Sequence, residues 1–278
     1  MIVLFPKGQL GNQLFQYGFI STIKEKDEKI ITSKCEYFDV FEYAQSDYTF
    51  LSKYSRFILR RILKLLSKVR IISSIKQNHI YIGGYAIDTD NYIYKKGLFN
   101  FVKIVDGFYQ TSSFIKNAPT IRDTYIQKAN EYLKDIPKKN IKIFVHIRRG
   151  DYLEWSVLGK KNPSLPLAYY KNQIDWFILN YDNPFFIFLS NDNKYVEKKF
   201  KYIKNKLISK NELGIDLAIM SKCESAILSN STLSWWGHYL MKYKNDIFAP
   251  KYWLGWKSKV YFPIGIKTEN INYIKIKE

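Results

Sequence analysis

Ile141-Lys142-Ile143-Phe144-Val145-His146-Ile147-Arg148-Arg149-Gly150-Asp151-Tyr152 begins as an apolar run and ends in an imidazole, two guanidinium groups and a carboxylate. A near-continuous apolar run of this length suits a strand buried on both faces, as in a parallel sheet covered by helices. Gly150 permits a sharp turn directly afterwards. Open α/β sheets hold their ligands beyond the carboxyl ends of the strands, so His146, Arg148, Arg149 and Asp151 stand where a ligand would be met. Arginine suits a forked grip on phosphate oxygens. Neighbouring strand residues point to opposite faces, so one arginine is expected to face the ligand while the other anchors the loop. A surface ion pair between Arg149 and Asp151 is the plainer reading of the same residues.

Downstream, apolar runs alternate with helical periodicities: strand 141–147, helix 167–180, strand 185–190, helix 193–204, strand 206–209, helix 214–222, strand 225–229 and helix 231–243. That alternation implies an α/β domain with a parallel sheet covered on both faces. Upstream, a strand at Ile2–Phe5 leads through a loop at 6–12, with Gly8 and Gly11, into a helix carrying Leu14, Phe15, Phe19 and Ile23. Short β-like runs follow, including 80–85, 92–94 and 101–105, and then a helix at 120–133. Lys134–Asn140, with Pro137 and its lysines, reads as a linker and divides the chain into domains 1–137 and 138–278.

Two further strand ends carry polar residues. Ala226-Ile227-Leu228 gives way to Ser229-Asn230-Ser231-Thr232-Leu233-Ser234-Trp235-Trp236-Gly237. Unpaired N–H groups and the positive dipole end of a helix starting there, together with those hydroxyls, favour an anionic ligand such as phosphate. Asn230 or Ser231 serving only as a helix cap is the simpler alternative, and the two tryptophans read as core. The run 185–189 ends in Ser190-Asn191-Asp192, whose carboxylate either accepts from the paired N–H donors of a guanine base or caps the next helix. Asp88-Thr89-Asp90, among Gly83, Gly84 and Asn91, reads as a solvated turn rather than a metal site. His79 has no evident partner, and His238 reads as a packing residue.

The 278 residues carry 44 Lys and Arg against 25 Asp and Glu, a formal charge of +19, and are 46% hydrophobic and 17% aromatic. Such a chain is globular rather than disordered. Cys35 and Cys223 have neither disulfide-framework nor zinc-ligand spacing, which fits a reducing compartment. Nothing has the length of a signal or membrane-spanning segment, so a cytoplasmic protein, soluble or peripheral on the inner face of the membrane, is expected. No acidic residue lies between Asp47 and Asp88, where Lys53, Arg56, Arg60, Arg61, Lys64, Lys68, Arg70 and Lys76 fall. Ser52–Ile75 has the period of a cationic amphipathic helix. Residues 53–76 therefore either meet an anionic membrane surface or form a solvated basic face.

Gly8-Gln9-Leu10-Gly11-Asn12-Gln13-Leu14-Phe15-Gln16-Tyr17, His146-Ile147-Arg148-Arg149-Gly150-Asp151-Tyr152 and Ser229-Asn230-Ser231-Thr232-Leu233-Ser234-Trp235-Trp236-Gly237 together resemble glycosyltransferase family 11, the α-1,2-fucosyltransferases, in their bacterial form. Gln9 stands where the family's first block has a second glycine, and Ser190-Asn191-Asp192-Asn193 matches its acidic run only loosely. The resemblance implies a GT-B architecture, two Rossmann-like domains whose parallel sheets face a central cleft, the first on the acceptor side and the second binding the GDP-sugar. It implies inverting transfer of L-fucose from GDP-β-L-fucose, without a metal or other cofactor, to a hydroxyl such as O2 of a terminal galactose. The acceptor would be a galactose-terminated oligosaccharide or lipid-linked glycan, a precursor of a surface polysaccharide. Arg148 would hold the β-phosphate and stabilise the departing GDP. His146, Asp192, Asn230, Ser231 and Thr232 would bind the donor, and Asn12 would approach it from the first domain. Asp151 is the first candidate for the base that accepts the acceptor's proton, and Glu154 the second.

Two other readings compete. A metal-dependent GT-A glycosyltransferase would use Asp88 and Asp90, and a non-enzymatic polyanion-binding module would account for the charge. Nucleic acid is not expected as a partner, and full activity in EDTA would exclude the metal-dependent enzyme.

Overall fold

The structure is a computed structural model that describes residues 1–82, 84–261 and 263–276. The chain forms two compact units, the first comprising Met1–Thr120 with Pro263–Lys267, the second beginning at Ile121.

In the first unit, in chain order, are β1 (Ile2–Leu4), α1 (Leu10–Ile23), β2 (Ile30–Thr32), α2 (Glu36–Val40), β3 (Tyr48–Phe50), α3 (Lys53–Lys68), β4 (Ile72–Ile82), β5 (Tyr85–Lys95) and β6 (Phe99–Asp106). Their sheet runs β3-β2-β1-β6-β4-β5 and is parallel except for the antiparallel β4–β5 pair. Strand order reverses between β1 and β6, so the loops after these two strands flank a topological switch point. α1 starts at Leu10, inside the stretch read from sequence as a loop, which places Gly11 and Asn12 in its first turn. Gly8 makes this entry possible: its φ of +71° is left-handed, and a Cβ there would lie 2.3 Å from Asn12 Nδ2.

α3 is shorter than the helix expected over 52–75. Ser52 caps it by accepting the Ser55 N–H at 3.1 Å, and it ends at Lys68, where Arg70 turns left-handed at φ +58°. Ile72 to Ile75 belong to β4 and join the sheet beside β6, an outcome that β-branched residues able to pair with a long strand favour over one more helical turn. The turn expected at Asp88-Thr89-Asp90 is likewise overturned. These residues lie within β5, and the antiparallel register sets His79 opposite Asp88, with Nδ1 2.7 Å from Oδ1. Gly83, part of that reading, lies outside the described residues.

The second unit contains α4 (Asp123–Leu133), β7 (Ile141–Ile147), the short pair β8 (Ser156–Val157) and β9 (Lys160–Lys161), α5 (Leu167–Asn180), β10 (Pro184–Ser190), α6 (Asn193–Lys199), β11 (Lys206–Ile208), α7 (Leu213–Ser221), β12 (Ser225–Ile227), α8 (Thr232–Tyr239), β13 (Ile247–Pro250) and β14 (Asn272–Ile274). Its main sheet runs β11-β10-β7-β12-β13-β14 and is parallel throughout. The chain winds outward from β7 through β10 to β11, then returns to β7's other side with β12, which makes β7/β12 the switch point. Ile143, Val145, Phe186, Phe188 and Ile227 are buried in the strands, with Ile174 and Phe177 of α5 packed among them. The units divide at Thr120, before α4 rather than after it, because α4 packs against α7 of the second sheet. Residues 134–140 are thus a connection inside the second unit and not a linker between the two.

Candidate active site

β7 carries its chain straight into the second unit's switch point. His146, on its last turn of pleat, is buried, and its Nδ1 lies 2.7 Å from the Ser229 hydroxyl two residues beyond β12. Burial, reinforced by the charge of Arg148, pushes the imidazole down to about 3. His146 is therefore neutral at physiological pH and serves as a hydrogen-bonding post rather than a proton carrier.

The two arginines diverge immediately after the strand. Arg148 Nη2 donates to Asp151 Oδ2 at 2.9 Å, and the guanidinium lies 5.6 Å from the Tyr152 ring centre. Arg149 is held from several directions: its N–H donates to Asn191 Oδ1 at 2.9 Å, its Nε to Asp192 Oδ2 at 3.2 Å, and its guanidinium lies over Tyr195 at 4.2 Å. The Arg149–Asp151 ion pair considered from sequence does not form; each arginine takes a different acid. Asp151 is 58% exposed, so its pairing with Arg148 is worth at most about 1 kcal/mol. An anion arriving at Arg148 can compete with so weak a partner.

Asp192 caps α6 by accepting the Tyr195 N–H at Oδ1, 3.1 Å, while its other oxygen holds Arg149. The capping alternative is the arrangement found. Asn191 Nδ2 also donates to Asp151 Oδ1 at 3.3 Å, and Gly150 is needed here because a Cβ on it would lie 2.5 Å from that same Asn191 nitrogen. The β10 end thus braces the β7 end, and Ser190 Oγ donates to the Ile147 carbonyl at 2.8 Å.

On the other flank, Tyr152 donates its hydroxyl to the Asn230 carbonyl at 2.9 Å, joining the loop after β7 to the start of α8. Asn230 Nδ2 donates to the Pro163 carbonyl, and the Asn230 side-chain oxygen is buried without a partner. Ser231 is the N-cap residue of α8, yet its side chain makes no capping hydrogen bond. The first-turn N–H groups beside Thr232 thus keep their capacity for an anion. Ser234 turns inward, donating to the Ser229 and Ser231 carbonyls, and Trp235 and Trp236 are fully buried core. Gly237 closes the motif for a packing reason, since a Cβ there would lie 2.3 Å from Met220 Sδ of α7. Glu154, directly after the 150–153 turn, is exposed.

The first unit's switch point holds Asn12, whose Oδ1 accepts from Gln110 Nε2 at 2.7 Å. Beside it Lys7 pairs with Asp106, which also meets Lys64 at 3.4 Å. Sequence reading missed Lys7, Asp106 and Gln110. The signal is in the sequence: the apolar run 101–105 is closed by Asp106 and Gly107, as β7, β10 and β12 are closed by polar residues. Asp88 is engaged by His79, Asp90 is exposed, and among the described residues no group of three or more His, Cys, Asp or Glu gathers as a metal site would require.

Residues 1–255 match the family model described as Glycosyl transferase family 11. The chain belongs to this family. An α-1,2-colitosyltransferase of Escherichia coli is 26% identical over 281 residues, covering 91% of this chain and 92% of that protein. The O-antigen biosynthesis glycosyltransferase WbnK of the same species is 33% identical over 120 residues, but the match covers only 40% of its length. For galactoside α-(1,2)-fucosyltransferase 1 of Bos taurus the match covers 28% of the relative, at 29% identity over 34% of this chain. The fold is that of GT-B enzymes, shared with the fucosyltransferase NodZ from Bradyrhizobium (TM-score 0.51, 11% identity, 86% of this chain and 92% of that one) and with POFUT1 (0.53, 11%, 89% and 97%). A GT-A arrangement around Asp88 and Asp90 is set aside by this fold.

Proposed function

We infer that this family 11 glycosyltransferase moves L-fucose from GDP-β-L-fucose, with inversion, to O2 of a terminal galactose on a surface-glycan precursor. The observation that carries the reading is the pairing, at one switch point, of the Arg148 guanidinium with a helix N-terminus whose N-cap side chain makes no capping bond. These groups suit a diphosphate, and they suit it best as it departs, because fixed donors and dipoles stabilise charge that develops on a leaving group. Thr232 and Ser231 would lie against the phosphate oxygens. His146, neutral and fixed by Ser229, would donate or accept one hydrogen bond with the nucleotide, and Asn230 and Asn12 would be further donor contacts. Asp192 reaches a guanine base only by giving up Arg149 or its helix cap, so it ranks behind the phosphate-binding residues.

The acceptor hydroxyl attacks the anomeric carbon opposite the diphosphate, and its proton must go to a base. Asp151 is the first candidate and Glu154 the second, since both are exposed carboxylates on the loop that carries Arg148. The relatives' names support α-1,2 transfer, and the colitosyltransferase, matched over nearly its whole length, makes the colitose donor the principal rival to GDP-fucose. A cytoplasmic site of action and a lipid-linked acceptor complete the reading.

The test is a panel of GDP-sugars offered with galactose-terminated acceptors, with and without EDTA, with products identified by mass spectrometry and NMR. An α-1,2-fucosylated galactoside, formed equally in EDTA and lost in Arg148→Ala, is expected. Transfer of a different sugar, or activity only with added divalent metal, sinks the reading. A protein that binds polyanions with steep salt dependence but transfers no sugar from any donor would instead be the binding module.

A further inference from the structure

α3 carries two apolar faces, of which the fold uses one. Leu63 is buried and Leu59 and Leu66 partly buried against Val3, Phe5 and Ile104. Tyr54, Phe57, Ile58, Ile62, Leu65 and Val69 lie on the outer side and are exposed, Tyr54 at 84% and Leu65 at 62%. At 100° per residue these six form one continuous stripe. Lys53, Arg60, Arg61, Lys64 and Lys68 fall along one border of that stripe and partly within it, with Arg61 stacked 4.2 Å over Phe57. The apolar surface continues past the helix end: the Leu98 N–H donates to the Arg70 carbonyl at 2.9 Å, and Leu98 is 79% exposed.

A helix whose outer face served only solubility would not present six large apolar side chains to water. We propose that α3, with Leu98, is a docking surface for an anionic lipid bilayer, lying in the interface plane with its apolar stripe in the acyl boundary and its cations among the headgroups. A second copy of the chain fits poorly, because a two-fold contact would set this cationic face against itself, and no acidic residue between positions 47 and 88 is available to relieve it. Nucleic acid leaves Ile58, Ile62, Leu65 and Val69 without a role, since such interfaces are polar and charged. An anionic bilayer satisfies both halves of the surface. The proposal stands on α3 and Leu98 and fails or survives separately from the transfer reaction.

The experiment is flotation of the full chain with vesicles of phosphatidylcholine alone, or with about one third phosphatidylglycerol, at low and high NaCl. Binding to the anionic vesicles and at least tenfold weaker binding to the neutral ones is expected. Because each cation near the surface contributes about fivefold in partition, Arg60→Ala/Arg61→Ala/Lys68→Ala should lose about a hundredfold. Phe57→Ser/Ile58→Ser/Leu65→Ser should lose the part of the binding that persists in high salt, where charge is screened. Five of the six positions are exposed and Arg60 is half-exposed on the flank of the helix, so circular dichroism verifies that the variants remain folded. Equal binding to neutral and anionic vesicles, no binding to either, or unchanged binding by the serine variant overturns the proposal. So does a concentration-dependent dimer, seen in sedimentation, that the serine variant abolishes.

Discussion

Buried at the ends of β7 and β12, His146 Nδ1 and Ser229 Oγ lie 2.7 Å apart and couple the two strands that flank the second unit's switch point. Burial and Arg148 hold the imidazole pKa near 3, below its unfolded value of about 6.5. The unfolded chain therefore binds this proton between those values and the folded chain does not. The stability contribution is fully present above pH 6.5 and is lost as pH falls. Relative to His146→Asn, wild type should lose about 1.4 kcal/mol per pH unit as pH is lowered from 6.5 toward 4. Urea unfolding of both proteins across that range measures the difference, and a constant difference would refute the assignment.

Arg148 and Arg149 should respond to alanine in opposite ways. Arg149 ties together Asn191, Asp192 and Tyr195, so its loss should lower stability by about 1 kcal/mol, within the range of a half-exposed charge-assisted bond. Arg148 pairs with the exposed carboxylate of Asp151 at 2.9 Å and stands at the switch point. Arg148→Ala should keep the wild-type melting temperature within a few degrees while cutting kcat/KM by about 100- to 1000-fold, as loss of a leaving-group donor does. Kinetics with thermal melts on both variants decide it.

Gly237 supplies a stability prediction independent of the chemistry. Alanine there would place a Cβ 2.3 Å from Met220 Sδ and 2.9 Å from Met220 Cβ, forcing α8 and α7 apart in a packed region. Overpacking of this kind costs about 1–3 kcal/mol. Denaturant unfolding of Gly237→Ala should show a lower midpoint with the slope unchanged, and Gly237→Ala/Met220→Ala should recover part of the loss.

In the second unit β7, β10 and β12 were legible because each is an apolar run closed by polar residues, whereas β8, β9, β13 and β14 are too short to carry that pattern. β7 and α5 begin and end where the periodicity places them. The first unit was harder: β2 and β3 are three residues each, too short for any period, and β5 depends on its partner β4 rather than on its own sequence. That dependence explains Asp88. Acid-Thr-acid among glycines has turn composition, and only pairing across the hairpin makes it strand and gives His79 its partner. The site residues after β7 were legible as a set, but their division of labour was not. Which acid each arginine takes follows from the adjacency of β10 to β7, a tertiary fact.

Asp151 is the residue whose role one substitution can separate. Its carboxylate accepts from Arg148 at 2.9 Å and from Asn191 at 3.3 Å, so it both orients the guanidinium and stands as the first candidate base. An asparagine keeps an oxygen able to accept from Arg148 but cannot take a proton at neutral pH. Asp151→Asn should therefore bind GDP within a few-fold of wild type, while transfer falls by about 100- to 10,000-fold, the range of general-base loss. Calorimetry with GDP and initial rates of transfer, measured on the same preparation, give both numbers. Transfer near the wild-type rate would pass the proton to Glu154 or to water and leave Asp151 as the residue that positions Arg148. A parallel collapse of GDP binding would show instead that the carboxylate's charge is what holds the guanidinium in place.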